Sequence, residues 1–189
     1  MAIDFEQRRF TVDEYLRMAN SGVFGPNERV ELVEGVVVNV PLGGPEHTSV
    51  VSELFMLLTK RIGDRVTLRC QVPVKLGTHS LPEPDIGISA RVAERYRDRY
   101  PEERDALGLI EVSRSRLEYD RGLKMRVYAR SRVPEYWIVD LLGKQLEVHR
   151  EPSDIGFGAR VVLGPGDSIS LLALPDVTFA VAELLRPEA

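Results

Sequence analysis

Three carboxylates stand where apolar strands should exclude them. Glu111 follows the apolar run LGLI, Asp85 sits between Pro84 and the pair Ile86 and Ile88, and Glu31 lies between Val30 and Leu32. A charged side chain is almost never fully buried without a partner. One such residue in a strand is ordinarily an outward group on a half-exposed face. Three of them, each followed by apolar residues, read as a convergent site. Two unit charges 4 Å apart repel by about 4 kcal/mol at an effective dielectric of 20. Convergence therefore demands proton uptake or a bound cation, and clustered oxygen ligands favour Mg²⁺ or Mn²⁺ over zinc. Cys70 is the only cysteine, and His47, His79 and His149 form no closely spaced ligand pair.

A cation held by carboxylates needs a group that steadies a water. Lys124 is the candidate, 13 residues after Glu111, with Asp120 four residues before it and on the same helical face. Read alone, Asp120 and Lys124 make a surface ion pair worth well under about 1 kcal/mol. Only four of the 25 basic residues are lysines, and a lysine can hold a point charge against water or phosphate.

These residues need elements to position them. Thr11 and Glu14 fit a capping box opening a helix that runs to about Ser21. GPNE (25–28) is a turn, and RVELVEGVVVNV (29–40) reads as a hairpin around Glu34-Gly35. The loop PLGGP (41–45) precedes a helix over 47–62, where Val50, Val51, Leu54, Leu57, Leu58 and Ile62 recur at helical spacing. Residues 66–76 alternate as a strand, 81–89 turn into another, and the charged stretch 90–107 reads as an exposed excursion. LGLIEVS (107–113) is apolar enough for a central strand buried on both faces. A helix follows over 119–130, then strands at 134–141 and 144–150 joined by a turn at Gly143, then short strands and a helix near 179–186. Tyr136 and Trp137 read as core residues, and Glu135 and Asp140 as solvated strand ends. The order specifies a mixed α/β (α+β) domain with a central mixed sheet flanked by helices. A single domain over 1–189 is expected, with a core of about 10–150 and C-terminal strands and helix in 151–189.

The set ERVELVEG (28–35), PDIGI (84–88), IEVSRSRLEYDRGLKMRVYA (110–129) and VPEYWIVDL (133–141) closely resembles the Uma-two type restriction endonuclease family of the PD-(D/E)xK nuclease superfamily. The likeness runs from about Phe10 to Leu185, and the ordered set with EYWIVD is its most specific part. The resemblance implies a restriction-endonuclease-like core with a four- to five-stranded sheet and the site at one sheet edge. It implies that Asp85 is the superfamily's Asp, Glu111 the acidic residue of the second half-motif, and Glu31 the early acidic residue. Ser113 occupies the usual lysine position, and the lysine moves to the following helix, here Lys124. His47 matches a histidine that often follows the Pro-Gly loop. Arg114 and Arg116 depart from the acidic or small residue and serine common at this point, and can either hold phosphate or alter substrate access.

The expected function is hydrolysis of DNA phosphodiester bonds by a Mg²⁺- or Mn²⁺-dependent endonuclease. Asp85 and Glu111 hold the metal with the Val112 carbonyl, and Glu31 completes its shell. Lys124 orients water, Asp120 holds Lys124, and His47 contacts phosphate or sits behind the ligands. Two other classes stay open: a catalytically silent nucleic-acid or protein-interaction module on the same fold, and a hydrolase of smaller phosphoesters. A homodimer suits cutting of both strands of a duplex.

The net charge of −4 speaks against indiscriminate nucleic-acid binding. Yet residues 91–132 carry 12 basic and 8 acidic side chains, while the remaining 147 residues carry a net −8. A salt-sensitive contact with DNA on one basic face is therefore expected. No stretch of 18 apolar residues exists, so no membrane partner is expected. The opening MAIDFEQRRF is charged where a signal peptide is apolar, so a cytoplasmic protein is expected.

Overall fold

The computed structural model describes residues 7–94 and 96–185. Most of the charged opening (1–6), the last four residues and Arg95, one of the 12 basic residues counted above, lie outside the described residues.

Helix α1 (Val12–Asn20) starts at the capping box of Thr11 and Glu14. Strands β1 (Val30–Val33) and β2 (Val36–Asn39) form the expected antiparallel hairpin. Its two-residue turn puts Glu34 and Gly35 at φ 48° and 77°, the left-handed conformations that match strand twist. Helix α2 (Pro45–Ile62) begins two residues earlier than its apolar spacing indicates, because Pro45 occupies the first helical turn, where its missing N–H costs nothing.

The central sheet has six strands in the order β3-β4-β5-β6-β7-β8, rather than four or five. Strand β3 (Val66–Cys70) stops well short of residue 76. Gln71 turns to a left-handed φ of 49° and ends the strand. Strand β4 (Ile86–Ala90) pairs antiparallel with β5 (Ala106–Ser113), and β5 is the buried central strand that its composition indicates. The stretch between them is only partly an exposed excursion, since Tyr96 and Asp105 are buried. The crossover from β5 passes through α3 (Leu117–Tyr119), a π-helical turn (Asp120–Lys124) and α4 (Met125–Arg130). It leads into β6 (Glu135–Asp140), the parallel neighbour of β5.

Strands β7 (Gln145–Pro152) and β8 (Phe157–Leu163) extend the sheet, so it draws on residues past 150. A second hairpin, β9 (Ser168–Leu171) and β10 (Leu174–Ala180), and helix α5 (Val181–Leu185) close one face. There Leu54, Leu58, Ile110, Trp137, Phe179 and Leu184 pack together with α2. Leu109, Val127, Tyr128, Tyr136 and Ile138 pack beneath α4 on the opposite face.

Tyr136 and Trp137 are core residues, as read. Glu135 and Asp140, expected to be solvated, are buried. Glu135 accepts from Arg150, from the Trp137 indole at 3.0 Å and from the Leu172 N–H at 2.8 Å. Asp140 accepts from the Gly143 N–H at 2.8 Å and so caps the β6–β7 turn. Each carboxylate is satisfied inside, which is what permits its burial.

Candidate active site

Register explains why Asp85 meets Glu111. Ile86 pairs with Ile110 across β4 and β5, so one further step sets Asp85 opposite Glu111. The Asp85 N–H lies 3.4 Å from Glu111 Oε2. Ile110 and Val112 pack on the α2 side, so alternation turns Glu111 toward α4. Asp85 immediately precedes β4 and Glu111 lies in β5, so both belong to inner strands of the sheet rather than to its edge strands.

Glu111 is held from the helical side. Lys124 Nζ and the Tyr128 hydroxyl donate to its Oε1 at 3.0 and 2.7 Å. Lys124 Nζ also lies 3.0 Å from Glu31 Oε2 and donates to the Glu83 carbonyl at 3.2 Å. The hairpin supplies Glu31 and the crossover supplies Lys124, both almost fully buried. Burial alone would push Lys124 down, but the Glu111 and Glu31 carboxylates outweigh it and raise it above the ordinary lysine value. Burial pushes the Glu111 carboxyl up to about 8 against the opposing pull of Lys124.

Asp85 is held from three directions. Its Oδ2 accepts from the Val112 N–H at 2.9 Å and sits 3.0 Å from His47 Nε2, and its Oδ1 accepts from Gln71 at 3.1 Å. Burial would raise Asp85, but His47, Val112 and Gln71 together hold it below the usual carboxylate range. His47 is raised by the same hydrogen bond.

Asp120 is buried beside this set, and burial lifts its carboxyl to about 6. The Ser113 hydroxyl opposes that shift, although its oxygen has no hydrogen bond of regular geometry. Asp120 makes no ion pair with Lys124 among the described residues, because Lys124 is committed to Glu111 and Glu31. The π-helical turn that carries both Asp120 and Lys124 is a rare element concentrated at functional sites.

Sequence reading thus located Asp85, Glu111, Lys124, Glu31, His47, Asp120 and Ser113 in one place. It missed Tyr128 and Gln71. Tyr128 stands four residues after Lys124, a spacing that puts it on the same helical face. Gln71 gave no usable signal, because its position follows from the end of β3.

The set opens onto a cavity of about 430 Å³, bounded by the Pro41–Gly44 loop on one side and Arg114, Ser115 and Arg116 on another. Arg114 pairs with Glu46, and the Arg116 guanidinium lies 4.3 Å from the Tyr119 ring centre. The basic surplus of 91–132 is partly spent elsewhere. Arg121 pairs with Glu147, Arg130 with Glu34 and Arg132 with Asp154, all acidic residues outside that stretch.

An all-oxygen donor set suits a hard divalent cation. Asp85 and Glu111 are adjacent, buried and open to the cavity, and it is burial first, with the neighbouring carboxylates second, that raises the Glu111 carboxyl. Glu31 is engaged with Lys124, and among the described residues no three His, Cys, Asp or Glu side chains are grouped as a ready metal cage. The residues therefore fit a cation held by two carboxylates and backbone oxygen, with Glu31 turned to Lys124 instead.

No helix among the described residues is long and apolar enough to cross a membrane. Among curated proteins none matches the sequence. In fold the chain is similar to the crystal structure of a putative nuclease belonging to DUF820 from Anabaena variabilis, with a TM-score of 0.70, 16% identity, and coverage of 93% of this chain and 97% of that chain. The profile of the Uma2 family, described as putative restriction endonuclease, matches residues 12–182. The chain belongs to the Uma2 family of putative restriction endonucleases.

Proposed function

We propose that this chain is a divalent-metal-dependent endonuclease that hydrolyses phosphodiester bonds of DNA. The observation that carries the reading is the pairing of Asp85 with Glu111 across β4 and β5, with buried Lys124 at 3.0 Å from Glu111. Asp85, Glu111 and the Val112 carbonyl would hold Mg²⁺ or Mn²⁺. Such an ion, when bound, polarises a phosphate and acidifies water. Lys124, its N–H groups engaged by Glu111, Glu31 and the Glu83 carbonyl, supplies a fixed positive charge that offsets developing negative charge. Glu31 keeps Lys124 charged and directed. Arg114 and Arg116 line the cavity wall and meet phosphate oxygens, Arg114 by exchanging its Glu46 partner. Cleavage of a duplex suits a two-fold pair of chains, and the lone Cys70 suits the reducing cytoplasm.

The test is nicking of plasmid and single-stranded DNA with Mg²⁺ or Mn²⁺, comparing wild type with Asp85→Ala and Lys124→Ala. Loss of nicking in both variants supports the reading. Equal activity in all three sinks it. Absence of nicking by wild type, with no metal binding by calorimetry, favours a silent module on the same fold.

A further inference from the structure

We infer that Gly43 and His47 form a clamp that fixes the Asp85 carboxylate, with His47 the positioning residue and Gly43 its seat. The inference rests on Asp85 belonging to the nuclease site proposed above. A Cβ placed on Gly43 would lie 2.2 Å from His47 Nδ1 and 2.9 Å from ring atoms Cγ and Cε1. Gly43 does not occupy the left-handed region, so its backbone would accept any side chain. The three nearest atoms that a side chain there would meet all belong to the His47 imidazole. Gly44 has no such neighbour within 4 Å, although it is next in the chain.

The seat has a direction. Gly44 and Pro45 start α2, so His47 stands in the rigid first turn. From there its ring lies against Gly43 on the Nδ1 edge and reaches Asp85 Oδ2 at 3.0 Å on the Nε2 edge. Nδ1 has no hydrogen-bond partner among the described residues, so the neutral ring carries its proton on Nε2 and donates it to Asp85. Val112 and Gln71 supply the other two bonds to this carboxylate from β5 and from the end of β3. His47 is the donor that comes from the first turn of α2. Removing it leaves Asp85 Oδ2 with the Val112 N–H alone and Oδ1 with Gln71, which loosens the carboxylate on its cavity side.

The test uses the full chain and two readouts. The first is the two-bond ¹H–¹⁵N spectrum of the imidazoles, tractable with only three histidines. At a pH above the imidazole titration His47 should show the Nε2–H tautomer, Asp85→Asn and Gly43→Ala should displace its signals, and Gly44→Ala should not. The second is plasmid nicking with Mn²⁺. Gly43→Ala and His47→Ala should each lose about 10- to 100-fold in rate at saturating DNA, the scale for groups that orient metal ligands. The double variant should lose no more than the worse single one. His47→Gln, whose amide can donate to the same oxygen, should recover most of the loss. All variants are compared only where they keep the wild-type thermal transition. The clamp is overturned if Gly43→Ala keeps the wild-type His47 signals, or if the two losses multiply. If wild type nicks nothing, the nuclease reading falls while the imidazole spectra still decide the clamp.

Discussion

Lys124 Nζ stands 3.0 Å from Glu111 Oε1, and both groups are shut away from bulk water. The same ammonium meets Glu31 Oε2 at 3.0 Å. One cation thus balances two carboxylates drawn from the hairpin and from the central sheet. This pairing ties the small β1–β2 unit to the β5–β6 crossover. It also leaves Asp85 and Asp120 without a lysine of their own; Asp85 is answered instead by His47, Val112 and Gln71.

Removal of the cation is the direct test of that balance. Lys124→Met keeps the side chain's bulk and strips its charge, so Glu31 and Glu111 are left facing one another. Breaking a buried ion pair from one side costs about 3–5 kcal/mol. Urea denaturation should show a loss of this size for Lys124→Met. Adding Glu31→Gln to that variant should recover part of it. A Lys124→Met protein as stable as wild type would mean that the triad is open to solvent.

The Tyr128 hydroxyl is the second donor to Glu111 Oε1, at 2.7 Å. It is buried, and its ring packs edge-on against Tyr136 at 5.0 Å. Tyr128→Phe should preserve that packing and remove only the bond. The expected cost is about 0.5–1.5 kcal/mol, the range for a net hydrogen bond to an uncharged group, since Glu111 carries its proton below about pH 8. Nicking should fall as well, because Glu111 loses one of its two fixings. A variant with unchanged stability and unchanged rate would assign the orientation of Glu111 to Lys124 alone.

Much of this arrangement was legible in the chain itself. A carboxylate inside LGLIEV announces a buried charge, and burial of a charge announces partners. The hairpin was legible because Glu34-Gly35 has the turn chemistry that strand twist requires. What escaped depends on distant geometry. Glu135 looks like a solvated strand end until Arg150 and Leu172, 15 and 37 residues away, are folded onto it. Asp120 and Lys124 at i and i+4 suggest an ion pair, yet two stronger partners from other strands claim the lysine. Gln71 ends β3 at a positive φ that no alternation of Val72 and Val74 could reveal.

Arg116 tests the cavity wall. It makes no ion pair among the described residues, whereas Arg114 is held by Glu46. If Arg116 neutralises one phosphate, Arg116→Gln should lower the slope of log affinity against log salt by about 0.9. Glu46→Gln should strengthen DNA binding in the wild-type background by releasing Arg114. It should do much less in the Arg114→Gln background. Binding of uncut DNA in EDTA, followed by fluorescence anisotropy across a salt series, measures both. Identical slopes for wild type and Arg116→Gln would remove this arginine from the interface.

Proton and metal should compete at Glu111. Its carboxyl is pushed up to about 8 in the folded protein, against an ordinary value of 4.5. Asp120 shifts the same way, to about 6 from 3.8. For a raised carboxyl the folded state binds more protons than the unfolded state between the two values. Stability from Glu111 is then fully present below pH 4.5 and is lost as pH rises through about 8. His47, also raised, acts in the same direction. Asp85 is held low, so its contribution is lost only as pH falls below the ordinary carboxylate range. In EDTA, the melting temperature of wild type should therefore drop relative to Glu111→Gln as pH is raised across the Glu111 window. Excess Mn²⁺ should cancel most of that relative drop in wild type, since a cation takes the place of the proton. It should do little for Glu111→Gln. Parallel curves for the two proteins in EDTA would mean that Glu111 is ionised at neutral pH without any metal, satisfied by Lys124 and Tyr128 alone.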